Sequence, residues 1–242
     1  SYILVLEDIS TIAKAQRQIA WGEIARRLAH EIKNPLTPIQ LSAERVQNRI
    51  ENKLNKTDKD LLNKSTSIII KQVDALKLMV NEFAEYARSP KIVRKTIDII
   101  ELLDEISYLY SDQHFEIKKN YPKNRRSIKI DENKFRQVLI NIFDNSKAAL
   151  KNVKNPKVSI TLKFDTNLIR LKFEDNGIGI PKEIIDKIYE PYVTSKKTGT
   201  GLGLAIVYKI IEEHSGIIEI KNIKPSGVCI IITLPVEDHK IG

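Results

Sequence analysis

Two stripes of apolar residues constrain this chain more than any other feature of it. From about Thr11 to Glu51, Ala25, Leu28, Ile32, Leu36, Ile39, Ala43, Val46 and Ile50 follow one another at steps of three and four, the spacing that marks one face of a helix. A second stripe runs through Leu62, Ile69, Val73, Leu76, Val80, Phe83 and Ala87. The polar stretch 52–58 separates them, with Thr57 and Asp60 placed like a helix-start capping pair. Two such helices cannot bury both seams as an isolated hairpin. Pairing of two hairpins into a four-helix bundle is therefore expected, and with it a homodimer. Ser89-Pro90 ends the second helix, because proline disfavours helix at the residue before it and cannot donate to the backbone ladder.

The texture then changes. Strand-like segments are expected at 92–96, 115–118, 127–130, 158–164, 168–174, 217–221 and 228–234, with helices at 99–110, 132–151 and 202–214. This order predicts an α+β sandwich, one sheet covered by helices on one side. A chain of 242 residues accommodates two such units. We read 1–10, which opens with the apolar run YILVL, as the end of a preceding strand or linker, 11–90 as the helical unit and 91–242 as the sandwich.

Composition excludes some functions. The net charge of +9 raises nucleic acid as a partner, but lysine is scattered, and the densest basic run, 118–126, lacks interleaved aromatics and known DNA-binding spacings. No nucleic-acid partner is expected. Cys229 is the single cysteine and reads as a buried strand thiol, so no internal disulfide is possible. No apolar run approaches the roughly 18 residues of a membrane span.

Residues with chemistry fall in four places. His30 lies two residues from both Leu28 and Ile32, which turns it away from the seam. A neutral imidazole there offers a ring lone pair to an electrophilic phosphorus, and Glu31 beside it can accept the other ring proton. Pro35 and Pro38 follow within the helical pattern, where each costs ~3 kcal/mol unless the disruption is useful. Asn34 lies one turn along from His30 on the same face, and equally reads as a residue that tolerates the geometry imposed by Pro35. His114, His214 and His239 have no ligand-like spacing and read as structural or surface residues.

In the second unit, Asn141 and Asn145 project from one face of a helix whose other side is apolar. Amide oxygens suit Mg²⁺. Asp175-Asn176-Gly177-Ile178-Gly179 follows a strand; its glycines let backbone approach a flat ligand, and Asp175 can accept from an adenine amino group. Thr200-Gly201-Leu202-Gly203 leads directly into a helix, as a mobile flap ending at a phosphate-attracting N-terminus would.

Taken together, these residues resemble a two-component sensor histidine kinase over nearly the whole chain. The H box is His30 to Pro38, the N box Asn141 to Ala149, the G1 box Asp175 to Gly179, an F-box-like stretch Tyr189 to Tyr192, and the G2 box Gly199 to Gly203. Ala20-Trp21, Arg26 to His30 and Ala43-Glu44-Arg45 are similar to nitrogen-regulation sensor kinases of the NtrY type. The resemblance implies a dimerising phosphotransfer hairpin joined to a GHKL (Bergerat) ATP-binding sandwich. It makes His30 the phosphoacceptor, Glu31 its acid/base partner, and Asn34 a residue for dephosphorylating the partner. Asn141 and Asn145 fall on the Mg²⁺ side, Asp175 on the adenine, and Gly177, Gly179, Thr200, Gly201, Leu202 and Gly203 along the ATP pocket and its lid at 194–200. The implied cofactors are ATP and Mg²⁺. The implied partner is the receiver domain of a response regulator, NtrX-like within that subfamily. Residues 1–10 become the last strand of a PAS-like module, with an inner-membrane anchor only through segments absent from this chain. Three positions depart from the family pattern: Ala148 where many relatives carry a basic residue, Tyr189 for phenylalanine, and Ser215 before Gly216 for a glycine pair. An ATP-driven conformational switch of the GHKL type, without phosphohistidine chemistry, is the alternative.

Overall fold

The computed structural model describes residues 10–87, 92–111, 114–196 and 199–236, with side chains from residue 22 onward. Two compact units divide between Pro90 and Lys91.

The first unit is a helical hairpin. Helix α1 (Ser10–Ile50) continues through both Pro35 and Pro38, and a 3₁₀ turn (Glu51–Lys53) leads to α2 (Lys56–Ala87). Each proline lacks the amide that would bond the carbonyl four residues earlier, so those of Glu31 and Asn34 lose their usual helical partners just below His30. Helix α2 is capped by Asn55, not by Thr57 and Asp60: Asn55 Oδ1 accepts from Asp58 N at 3.0 Å, and Asn55 Nδ2 returns a bond to Asp58 Oδ2 at 2.6 Å. Reciprocity at this three-residue spacing satisfies an orphan amide of the first turn.

Each expected apolar stripe resolves into two faces. Ala25, Ala29, Leu36 and Ala43 of α1 are buried, as are Thr66, Val73, Val80 and Ala87 of α2, seven residues apart. Leu28, Ile32, Ile39, Val46 and Ile50 of the expected α1 seam are exposed, as are Ile69 and Leu76 of α2. The single-seam expectation was too coarse, because a helix in a four-helix bundle meets two neighbours and needs a wider apolar arc than a hairpin can cover.

In the second unit, β1 (Lys95–Asp98) pairs antiparallel with β3 (Ser127–Ile130) as a two-stranded ribbon, so the expected 92–96 strand is shifted toward the C-terminus. The main sheet has the order β2-β4-β5-β7-β6, formed by β2 (Glu116–Asn120), β4 (Lys157–Phe164), β5 (Leu168–Asp175), β7 (Val228–Pro235) and β6 (Ile217–Asn222). Only the β2–β4 pair is parallel. Helices α3 (Ile99–Tyr108), α4 (Glu132–Leu150) and α6 (Gly203–Glu213) bring Leu103, Ile106, Phe135, Leu139, Phe143, Val207 and Ile211 into the core with Ile160, Leu171 and Ile232 of the sheet. A short α5 (Lys182–Ile185) was not foreseen. Cys229 is buried in β7 as expected.

Helix ends tie this unit together. Asp131 caps α4 by accepting from Lys134 N at 3.2 Å, and its other oxygen takes Val93 N at 3.0 Å. The Asp131 amide donates to His214 Nε2 at 2.9 Å, while His214 Nδ1 lies 2.7 Å from the Ile210 carbonyl. His214 is therefore a neutral imidazole protonated on Nδ1, and burial holds its pKa below the usual histidine value. Helix α6 closes with Gly216 N bonding the Ile211 carbonyl and Ser215 N the Glu212 carbonyl, both at 2.9 Å. In this Schellman arrangement Ser215 takes φ 57°, a conformation glycine would adopt without strain.

Among the described residues no helix is long and apolar enough to cross a membrane. The expectations for 1–6, Ser89-Pro90 and His239 lie outside the described residues.

Candidate functional site

The hairpin presents His30 on the exposed side of α1, next to buried Ala29. Asn34 is exposed one turn further on. Glu31 is engaged with Arg27, whose Nε donates to Glu31 Oε1 at 3.1 Å. That pair is exposed, so its grip on the carboxylate is weak.

The second unit assembles the remaining candidates around α4, the end of β5 and the start of α6. Burial of Phe135, Val138, Leu139, Ile142 and Phe143 on the core side fixes the rotation of α4 and leaves Asn141 and Asn145 half-buried on one face. Asn141 Oδ1 lies 3.4 Å from where a Cβ on Gly203 would stand, so the first residue of α6 faces this amide at ordinary contact distance.

Asp175 ends β5 and is buried, at 7% exposure. Its Oδ1 accepts from Gly177 N at 2.9 Å and its Oδ2 from Ser146 Oγ at 3.2 Å. Burial raises its pKa, opposed by these two bonds and by another from the Val228 amide. The carboxylate is thus held rigidly, with lone-pair capacity left over for a ligand donor.

Close packing sets the loop that follows. A Cβ on Gly177 would stand 2.7 Å from Ala149 Cβ and 2.8 Å from Asp175 Oδ1, so glycine lets the loop lie against α4. Gly179 has φ 77°. Beyond it Asn222 clamps the chain, accepting from Ile180 N at 2.8 Å and donating to Ile180 O at 2.7 Å. Asn176 points away from the site, joining Lys157 N and Asn155 O.

The loop before α6 closes on itself. Tyr192 N donates to the Gly201 carbonyl at 3.1 Å, and Gly201 has φ 71° with no space for a side chain against the Tyr192 backbone. Thr200 Oγ1 accepts from Leu202 N at 3.3 Å, and Leu202 is fully buried beneath the loop. From the tip, Lys196 Nζ donates to Asn145 Oδ1 at 2.5 Å. Desolvation lowers the Lys196 pKa, with the charge of Asp144 opposing. Lys197 and Thr198 lie outside the described residues.

The expected Mg²⁺ fits this donor set. An ammonium already rests on the Asn145 amide oxygen, showing that it faces a position suited to a cation. Among the described residues no group of three or more His, Cys, Asp or Glu could hold a metal, so an ion here depends on amide oxygens and on the ligand's own.

Sequence reasoning missed Ser146, Asn222, Gly227 and Lys196. Ser146 was legible in principle, since it follows Asn145 on the helix face nearest Asp175. Nothing local marked the other three. One of the departures is accounted for here: the Tyr189 hydroxyl donates to the Ile218 carbonyl at 3.2 Å, and its ring meets Tyr208 at 4.9 Å.

Two family models match: His Kinase A (phospho-acceptor) domain over residues 20–91, and histidine kinase-, DNA gyrase B- and HSP90-like ATPase over residues 130–238. The nitrogen regulation protein NtrY of Azorhizobium caulinodans is 37% identical over 99% of this chain, which covers 32% of that protein. Full-length ShkA, solved with AMPPNP, shares the fold at 22% identity and a TM-score of 0.72, over 90% of this chain and 47% of that one. ThkA, solved in complex with the response regulator protein TrrA, is 26% identical with a TM-score of 0.67, over 99% of this chain and 70% of that one. The chain spans about a third of the length of the curated relatives it matches.

Proposed function

Because this chain belongs to the sensor histidine kinases, we propose that it transfers the γ-phosphoryl group of ATP to His30 and from there to an aspartate of a response regulator receiver domain. One observation carries the proposal: a phospho-acceptor hairpin with an exposed histidine and an ATPase unit with a built nucleotide pocket occur in one polypeptide. A conformational ATPase of the GHKL type needs the second unit but has no use for the first.

In this reading 11–90 is the dimerisation and phosphotransfer unit and 91–242 the catalytic unit. Asp175, held by Gly177 and Ser146, accepts from the adenine amino group and so selects an adenine nucleotide. Gly177 and Gly179 let the backbone lie against the base. Thr200 to Gly203 lead the triphosphate to the N-terminal amides of α6, where an anion is favoured. Asn141 and Asn145 would hold Mg²⁺, which would supply positive charge to the triphosphate. His30 presents one ring nitrogen to the phosphorus, and Glu31, freed from Arg27, takes the proton from the other. Asn34 has no useful nucleophilicity; its amide orders a water for removing phosphate from the partner's aspartate.

Exposed Leu28, Ile32, Ile39 and Val46 support a homodimer through a four-helix bundle. The similarity to NtrY supports a nitrogen-regulation role with an NtrX-like partner, and a place on the cytoplasmic side of an inner membrane reached through other segments of a longer protein. Incubation with γ-labelled ATP tests the reaction. Label that is acid-labile and alkali-stable, and that vanishes in His30→Gln while nucleotide binding persists, is the expected result. Equal labelling of the variant would refute the acceptor.

A further inference from the structure

One contact in the nucleotide pocket is not explained by the fold. Lys196 reaches from a loop tip to the amide assigned to the metal, and its ammonium lies 2.5 Å from Asn145 Oδ1. Asp144, the preceding residue on α4, adds its attraction. The backbone around Lys196 is pinned from both sides: its amide donates to Thr194 Oγ1 at 3.1 Å, and its carbonyl accepts from Gly199 N at 3.3 Å. The loop base is fastened where Tyr192 N meets the Gly201 carbonyl at 3.1 Å. A loop tied at its base therefore places a lysine at its tip in contact with the amide of the proposed metal site.

An ammonium and a divalent ion cannot share that oxygen. A Mg–O bond is ~2.1 Å long, so two cations on one oxygen would be immediate neighbours that repel each other. We propose that Lys196 is a tethered cation that occupies Asn145 in the nucleotide-free site and that nucleotide entering with its metal must displace it. This rests on the reading of Asn145 as a metal ligand. Two consequences follow. The loop tip is fastened to α4 until the metal arrives, and nucleotide without metal leaves it fastened. The contact thus separates metal-bearing from metal-free nucleotide by a competition built into the chain, not by a difference in the shape of the pocket.

The test is calorimetric binding of AMPPNP to the whole chain at a series of Mg²⁺ concentrations, for the wild type, Lys196→Met and Lys196→Arg. Lys196→Met should lower the Mg²⁺ concentration at half-maximal binding about three- to tenfold, the effect of deleting one charge-assisted hydrogen bond weakened by its exposure to solvent. Its affinity for AMPPNP in EDTA should equal that of the wild type, and Lys196→Arg, which keeps a cation on the loop, should keep the wild-type Mg²⁺ midpoint. An unchanged midpoint in Lys196→Met overturns the competition. A raised midpoint also overturns it, by assigning the ammonium to the phosphates. A wild-type chain that binds AMPPNP at no Mg²⁺ concentration strikes instead at the nucleotide site itself, and the proposal falls with it.

Discussion

Gly227→Ala should damage the nucleotide site from behind without touching any ligand. Gly227 precedes β7 at φ 123°, buried where β7 meets the end of β5. A Cβ there would stand 2.0 Å from the Asp175 carbonyl oxygen and 3.0 Å from Asn176 Cα, both backbone atoms that no rotamer change can move. Holding a non-glycine residue at this φ costs about 1–3 kcal/mol. Relieving an overlap with backbone adds about 1–3 kcal/mol, as for other overpacked sites. At roughly 2–4 °C per kcal/mol for a unit of this size, the unfolding transition of the second unit should fall by about 4–24 °C. Parting the strand ends is the cheapest relief, and it carries Asp175 away from its place. Affinity for AMPPNP, measured by calorimetry well below the lowered transition, should therefore fall at least about tenfold, the loss expected when one charged hydrogen bond is misplaced. Thermal unfolding followed by circular dichroism checks the first part. A transition within about 1 °C of wild type with unchanged affinity would refute the reasoning, because neither strain nor displacement could then be real.

Asp175→Asn should leave the fold intact and weaken AMPPNP binding about 10- to 100-fold, because an amide that keeps its oxygen on Gly177 N turns a donor toward the ligand; an unchanged dissociation constant would remove Asp175 from adenine recognition. His214 gives a pH signature. Its folded pKa is depressed by burial, so its neutral form is favoured in the native state and its share of stability is complete above about pH 6.5. That share is lost as the pH falls below this value, the unfolded chain taking up the proton first. Denaturant unfolding between pH 7.5 and 5 should show the wild type losing stability more steeply than His214→Gln, whose amide keeps a donor and an acceptor; parallel curves would contradict the assignment.

Much of this architecture was legible in the residues because their periods are. The alternation in β4 and β5 and the helical stripe of α4 each bury one face, so the segment limits and the shared face of Asn141 and Asn145 could be read directly. Asp175 and the glycines around it were legible because a tight turn after a strand is a local event. Lys196 was not, since the reach of a lysine depends on how a loop folds back on a helix 51 positions away in sequence. Gly227 was hidden for a similar reason: a close approach between two strands leaves no mark on either. The hairpin was misread in detail because a three-and-four spacing fits both the arc that one helix covers and the arc left for another.

Helices α4 and α6 touch at both ends of α6. They are pinned together at one end, where the Asp131 amide meets His214, and at the other Asn141 lies against Gly203. Helix α6 is 11 residues long, so roughly 16 Å separate the pin from that contact. Over that length a small tilt at the pin would shift the contact between Asn141 and Gly203. Variation at Asp131, Ile210 or His214 should therefore surface in selections for altered nucleotide use, at positions that an inspection of the pocket lining alone would pass over.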